Sequence, residues 1–168
     1  GGLFVSYDQV SDQSAKIRMD AHIRNESGKS FNGKLVYELW DREGKQIFTQ
    51  EKSLSVGKGK ARQFSVQTQV ENPHLWSPDS PYLYSLRVYV KDKNGHVTDG
   101  YSRRIGIRSI EFKGKDGFWL NGKPYPEPLI GANRHQDFAI IGKALSNSLH
   151  WRHSKKLRDA ALGVFGNT

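Results

Sequence analysis

The 168-residue chain contains no cysteine and only one methionine. Without cysteine there is no disulfide, no thiol nucleophile and no cysteine-ligated zinc. The absence of cysteine is compatible with every cellular compartment. No apolar run approaches the roughly 18 residues that a membrane span requires, and the mean hydropathy is −0.70. These absences exclude a small disulfide-stapled domain and an integral membrane protein. They predict a soluble chain of unknown localisation.

Acidic residues are the scarcer charge, since 26 Lys and Arg stand against 17 Asp and Glu and give a formal net charge of +9. Such an excess raises the question of nucleic acid, whose phosphates attract basic side chains. Basic residues alternate with acids along most of the chain, and the densest basic group, at 152–158, is expected on one helix. A solvated charged face explains that group, so we predict no nucleic-acid partner and no membrane partner.

The first residues also lack two features of a complete secreted chain. They read Gly-Gly-Leu-Phe-Val, with no initiator Met and with neither the basic start nor the apolar core of a signal peptide. We therefore expect a segment of a longer protein.

What is present from Phe4 to about Phe112 is an alternation of apolar and polar side chains, the period-2 pattern of half-buried strands. Turn sequences such as Asp41–Gly44 and Lys93–Gly95 separate the runs at short intervals. This pattern predicts an all-β, immunoglobulin-like β-sandwich of seven or eight strands. Trp40 is expected to be a core aromatic of a central strand.

One segment inside this region breaks the alternation. Residues 71–81 hold three of the six prolines, which cannot donate to a strand ladder. The segment is therefore expected to be a rigid loop between strands.

After about Gly106 the pattern changes. Residues 107–112 are expected to form a strand, 118–124 a tight hairpin and 129–132 a short apolar strand. Helical spacing follows at 149–161, and 162–165 is a further strand candidate. A strand, a helix and a strand begin an α/β unit, but one such unit cannot close a sheet, so this part is expected to be the opening of an incomplete domain.

A cluster of polar side chains directly follows the expected strand at 129–132. It consists of Asn133, Arg134, His135 and Asp137. In a parallel α/β domain such residues face a pocket, where His135 could donate a hydrogen bond to a sugar hydroxyl. The alternative is a polar loop that caps the next element. Sugar hydrolysis needs two carboxylates, and the only acids after Gly131 are Asp137 and a helical surface residue, Asp159, so no catalytic pair is present.

Four ordered motifs carry a family resemblance. They read NPHLWSPDSPYLY at 72–84, GIRSIEF at 106–112, FWLNGKP at 118–124 and GANRHQD at 131–137. Together they resemble the family 2 glycoside hydrolases, most closely the bacterial β-galactosidases. The resemblance implies a jelly-roll domain, an immunoglobulin-like sandwich and a (β/α)8 TIM barrel in series. Residues 1–108 would be the sandwich, and 109–168 the truncated first portion of the barrel, which is the catalytic domain.

The resemblance also implies roles for the polar cluster. His135 matches a histidine that contacts substrate at the galactose subsite, and Asn133, Arg134 and Asp137 belong to the same substrate-binding loop. Both catalytic glutamates of the family come from later barrel strands, so this chain alone is predicted to be inactive and to have no catalytic residue. The resemblance implies no cofactor or metal site in this chain, although β-galactosidases of the family often use Mg²⁺ or Na⁺.

The partners implied are a galactoside substrate and other domains of the longer enzyme. Exposed apolar edges of an incomplete barrel would also favour a homo-oligomer. Two alternatives stay open. The longer enzyme could be a β-glucuronidase or a β-mannosidase of the same family. The chain could instead be a stand-alone carbohydrate-binding sandwich, with sugar rings stacked on four aromatic side chains, which are Trp76, Tyr82, Tyr84 and Trp119.

Overall fold

The computed structural model describes residues 2–126, and their regular structure is almost entirely β. Seven strands form two facing sheets. They are β1 (Gly2–Asp8), β2 (Ser14–Arg24), β3 (Phe31–Trp40), β4 (Gln46–Val56), β5 (Ala61–Glu71), β6 (Tyr84–Lys91) and β7 (Val97–Ile105).

The two sheets are antiparallel throughout and differ in width. One contains three strands in the order β1-β2-β5, and the other contains four in the order β4-β3-β6-β7. Seven antiparallel strands in two facing sheets are the architecture of an immunoglobulin-like sandwich. The predicted all-β sandwich is therefore confirmed.

The core lies between the sheets and follows the predicted alternation. On β6, for example, Tyr84, Leu86, Val88 and Val90 are buried while the residues between them are not. The hydroxyl of Tyr37 on β3 donates to the carbonyl of Phe64 on β5 at 2.9 Å and so links the two sheets. Burial raises the pKa of Tyr37 to about 12, which keeps this donor protonated. The remaining core side chains are Val5, Ala15, Ile17, Met19, Ala21, Leu35, Leu39, Leu54, Val56, Val66, Ile105 and Ile107.

Trp40 is not the core aromatic that the sequence predicted. It ends β3 and is only half-buried. Its Nε1 donates to Glu38 at 3.0 Å, and the Arg87 guanidinium lies 5.1 Å from its ring centroid. The alternation of β3 turns this ring to the outer face, where charged side chains cover it.

The expected strand at 107–112 is shorter than predicted. β8 spans only Ile110–Phe112, because the backbone before it bonds to a loop and not to a strand. The carbonyl of Ile107 accepts from the Trp76 N–H at 2.8 Å. One turn of 3₁₀ helix, Gly114–Asp116, follows β8.

The predicted hairpin at 118–124 is present. β9 (Phe118–Leu120) pairs with β8 on one side and with β10 (Lys123–Pro124) on the other, giving a small third sheet. Asn121 and Gly122 both have positive φ, 52° and 75°, as an Asn-Gly hairpin turn requires.

The expected strand at 129–132, helix at 149–161 and strand at 162–165 lie outside the described residues, so the barrel portion stays a prediction, as does the boundary at 108. Within residues 2–126 no helix is long and apolar enough to cross a membrane.

Candidate functional site

The predicted substrate-binding residues Asn133, Arg134, His135 and Asp137 lie outside the described residues, and their role stays a prediction. The other three motifs of the family resemblance fall within residues 2–126, and they meet at one end of the sandwich. We call this meeting point the junction, formed by Trp76, Gly106, Arg108 and Asn121.

Trp76 is the centre of the junction. It lies in the proline-rich loop between β5 and β6 and is completely buried. Its side chain packs directly on Gly106, where an added Cβ would lie only 2.8 Å from three Trp76 atoms. Any larger residue at Gly106 would displace the ring, so this glycine is required by close approach and not by backbone conformation.

Hydrogen bonds join the loop to both later motifs. The Asn121 side-chain amide donates to the Trp76 carbonyl at 3.0 Å, while its Oδ1 accepts from the Ser109 N–H at 3.1 Å. The Asn121 N–H also donates to the Ser109 carbonyl at 3.0 Å. A single side chain in the β9–β10 turn thus fastens the small third sheet to the sandwich.

Arg108 lies over the indole ring of Trp76. Its guanidinium lies 5.4 Å from the Trp76 ring centroid, and its Nη1 donates to the Gly106 carbonyl at 2.9 Å. Burial lowers the pKa of Arg108 and raises that of the nearby Tyr7 to about 12. The charge of Arg108 opposes the rise at Tyr7. A cation held over an aromatic face adds directional attraction to the packing.

An outer layer of aromatic side chains braces the same loop. The His74 ring stacks on Tyr82 at 4.5 Å, and the His74 N–H donates to the Tyr84 hydroxyl at 2.9 Å. The Tyr82 hydroxyl donates to Glu43 at 2.6 Å and so ties the loop to the β3–β4 turn. Desolvation, reinforced by this hydrogen bond, raises the pKa of Tyr82 to about 12.

These contacts contradict the sugar-stacking platform considered for a stand-alone binding module. Trp76 is completely buried and Tyr84 is 3% exposed, so neither offers a ring face to a ligand. Tyr82 is occupied by His74, and the Lys113 ammonium lies 3.6 Å from the Trp119 ring centroid. Trp76, Tyr82 and Tyr84 brace the sandwich end instead, and Trp119 belongs to the small third sheet.

The junction holds the loop between β5 and β6, the end of β7 and the small third sheet together, and its four residues do not form a catalytic arrangement. Within residues 2–126 no three His, Asp or Glu side chains come together to hold a metal ion. Sequence reasoning missed the contact between Trp76 and Gly106, which lie 30 positions apart. The available signal was Gly106, the glycine that opens the GIRSIEF motif directly before the strand expected at 107–112.

Comparisons with known proteins agree with the family resemblance that the junction motifs carry. The sequence profile of the glycosyl hydrolases family 2 matches residues 2–108. A β-glucuronidase of Formosa agariphila is 30% identical over 98% of this chain and 16% of its own length. A β-galactosidase of Bacteroides ovatus is 30% identical over 94% of this chain and 18% of its own length.

The fold comparison agrees as well. The structure of β-glucuronidase 2 of Bacteroides uniformis, covalently bound to cyclophellitol-6-carboxylate aziridine, matches with a TM-score of 0.77 and 32% identity. The match covers 92% of this chain and 18% of that one, so the chain spans less than a fifth of these relatives. On its profile, its fold and its junction motifs, the chain belongs to glycosyl hydrolase family 2.

Proposed function

We propose that this chain is part of a longer retaining glycosidase that removes terminal β-galactosyl groups. In that enzyme the sandwich would be a support, and residues 109–168 would open the catalytic barrel. The single observation that carries the support role is the junction. There, the buried Trp76 ties the loop at 72–83 to Gly106 and to Asn121 of the third sheet.

The junction suits a support role because it limits movement between the sandwich and the residues that follow it. Catalysis depends on reacting groups being held within a fraction of an ångström, and a misplaced scaffold lowers the rate even when it is far from the chemistry. A buried ring, a bridging amide and a buried guanidinium each restrict the path of the chain from Ile105 to Leu120.

The galactoside specificity rests on the GANRHQD motif at 131–137, which resembles that of bacterial β-galactosidases. A second candidate substrate is a β-glucuronide. It is favoured by the names of several relatives, among them the Formosa agariphila and Bacteroides uniformis proteins.

The test of specificity uses the longer enzyme that contains this chain. Its kcat/KM is measured on p-nitrophenyl β-galactoside, β-glucuronide and β-mannoside. A clear preference for the galactoside is expected, and His135→Ala should lower kcat/KM by about 10-fold or more through lost substrate hydrogen bonds. Preference for the glucuronide or the mannoside would reject the galactosidase assignment.

A second measurement tests the support role. The isolated 168-residue chain is expected to turn over none of the three substrates, because the two carboxylates of the retaining mechanism are missing. Turnover by the pure chain would contradict this. In the longer enzyme, Asn121→Ala should lower kcat, while Asn94→Ala, on the exposed β6–β7 turn, should leave it unchanged. Equal rates for both variants would argue against a positioning junction.

A further inference from the structure

Three asparagines of the chain are each followed by glycine, at Asn32-Gly33, Asn94-Gly95 and Asn121-Gly122. In such a pair the backbone nitrogen of the second residue can attack the side-chain amide carbon of the first. Glycine has no Cβ to hinder this approach, and its backbone has the freedom that the approach needs. The three pairs all lie within residues 2–126, and their surroundings differ.

The Asn121 side chain is held at both of its polar atoms. Its Nδ2 donates to the Trp76 carbonyl at 3.0 Å, and its Oδ1 accepts from the Ser109 N–H at 3.1 Å. Turning the amide toward the Gly122 nitrogen would break both bonds and would leave the Trp76 carbonyl without this donor. The junction therefore protects Asn121 from attack.

Asn32 is restrained through its backbone. In β3, Asn32 pairs with Ser55 of β4, and Gly33 pairs with Leu54 of the same strand. The backbone at Gly33 also passes close to β6, since an added Cβ would lie 2.0 Å from the Lys91 carbonyl oxygen. Attack requires rotation of the main chain between Asn32 and Gly33. A strand that is paired and closely packed at this point opposes that rotation.

Asn94 has neither restraint. It is exposed, and the hydrogen bond that it makes within residues 2–126 comes from its backbone N–H, which donates to Asp92 Oδ1 at 2.8 Å. Gly95 has a φ of 86°, and an added Cβ there would meet nothing within 4 Å. The Gly95 N–H donates to the Asp92 carbonyl at 3.1 Å, so the turn has to open before the Gly95 nitrogen reacts.

The position of this turn in the fold favours its opening. It is the tip of the β6–β7 hairpin, and β7 is an edge strand whose residues 97–102 are exposed. The backbone N–H groups of residues 94, 95 and 96 all donate to one residue, Asp92. Local opening of an exposed turn costs far less free energy than opening of a core strand. We propose that Asn94 is a site of spontaneous deamidation in the folded chain, from which the fold protects Asn32 and Asn121.

The reaction needs only water. The Gly95 nitrogen forms a bond to the side-chain carbon of Asn94, its proton passes through solvent to the amide nitrogen, and that nitrogen leaves as ammonia. Water then opens the cyclic imide. Attack at the side-chain carbonyl gives aspartate, and attack at the main-chain carbonyl gives isoaspartate, whose main chain is one carbon longer. One water is consumed and one ammonia is released, and the new carboxylate lowers the formal net charge of +9 by one.

The test is incubation of the folded 168-residue chain at mildly alkaline pH, with samples taken over time. Ion exchange separates the form that has gained a negative charge, and mass spectrometry of its proteolytic peptides locates the change and distinguishes aspartate from isoaspartate. Asn94 is expected to react about tenfold or more faster than Asn32 and Asn121, because hydrogen bonds and strand pairing restrain those two. The control variant Asn94→Gln keeps an amide at the turn and should remove this charged form.

The same incubation in strong urea separates the effect of the fold from that of neighbouring residues. There the restraints are lost, and the three pairs should react at similar rates. Two results in the folded chain would overturn the proposal, which are no reaction at Asn94 and a rate at Asn32 or Asn121 that equals or exceeds the rate at Asn94. An excess rate at Asn94 that persists unchanged in urea would also overturn it, since the flanking residues and not the fold would then set the selectivity.

Discussion

Replacing Trp76 with alanine should lower the free energy of unfolding of the sandwich by about 3 kcal/mol. Trp76 is completely buried, and truncating a buried tryptophan to alanine costs about 3–5 kcal/mol through lost transfer energy and the cavity left behind. Within residues 2–126 its Nε1 has no hydrogen-bond partner, so the substitution also removes a buried unsatisfied donor. That relief places the expected loss at the low end of the range.

The loss is measured by equilibrium urea unfolding, followed by far-ultraviolet circular dichroism because Trp76 itself is removed. With a denaturant dependence of about 1–3 kcal/mol per molar urea, the midpoint should fall by about 1–3 M. The control is Trp119→Ala, since this ring is only half-buried and belongs to the small third sheet. Its loss should stay within about 1 kcal/mol.

A fall in the free energy of unfolding of less than about 1 kcal/mol for Trp76→Ala would refute the reasoning. So small a change would mean that Trp76 leaves no cavity and loses no stabilising contacts with Gly106 and Arg108. Equal losses for Trp76→Ala and Trp119→Ala would refute it too, since burial distinguishes the two positions.

Three further predictions concern backbone approach and pH. Gly33→Ala should lower the free energy of unfolding by about 1–3 kcal/mol or more, because the new Cβ would lie 2.0 Å from the Lys91 carbonyl oxygen. The control in the same unfolding assay is Gly28→Ala, whose new Cβ would have no atom within 4 Å. The Tyr82 hydroxyl should titrate near pH 12 in the folded chain, whereas in the unfolded chain a tyrosine ionises near about pH 10. The contribution of Tyr82 to the free energy of unfolding is therefore complete below about pH 10 and is lost as the pH rises toward 12. Glu43→Gln should move the Tyr82 pKa back toward its ordinary value, measured by ring-carbon NMR; an unchanged pKa would leave desolvation as the sole cause.

Much of the sandwich could be predicted from local pattern. The alternation on β6 predicted which side chains are buried, and the Asn121-Gly122 turn predicted a hairpin that the positive φ angles confirm. Both depend on neighbours within a few residues, for which period and turn chemistry are sufficient. Trp40 shows the limit. Its residue type suggested a core position, but the register of β3 places it on the outer face beside Arg87.

The sequence by itself determined the strand periodicity, the turn positions and, through its ordered motifs, the family. Only the tertiary structure decided what those motifs do together. Trp76, Gly106 and Asn121 are far apart in sequence, and their contact depends on how a loop folds back across the end of the sandwich.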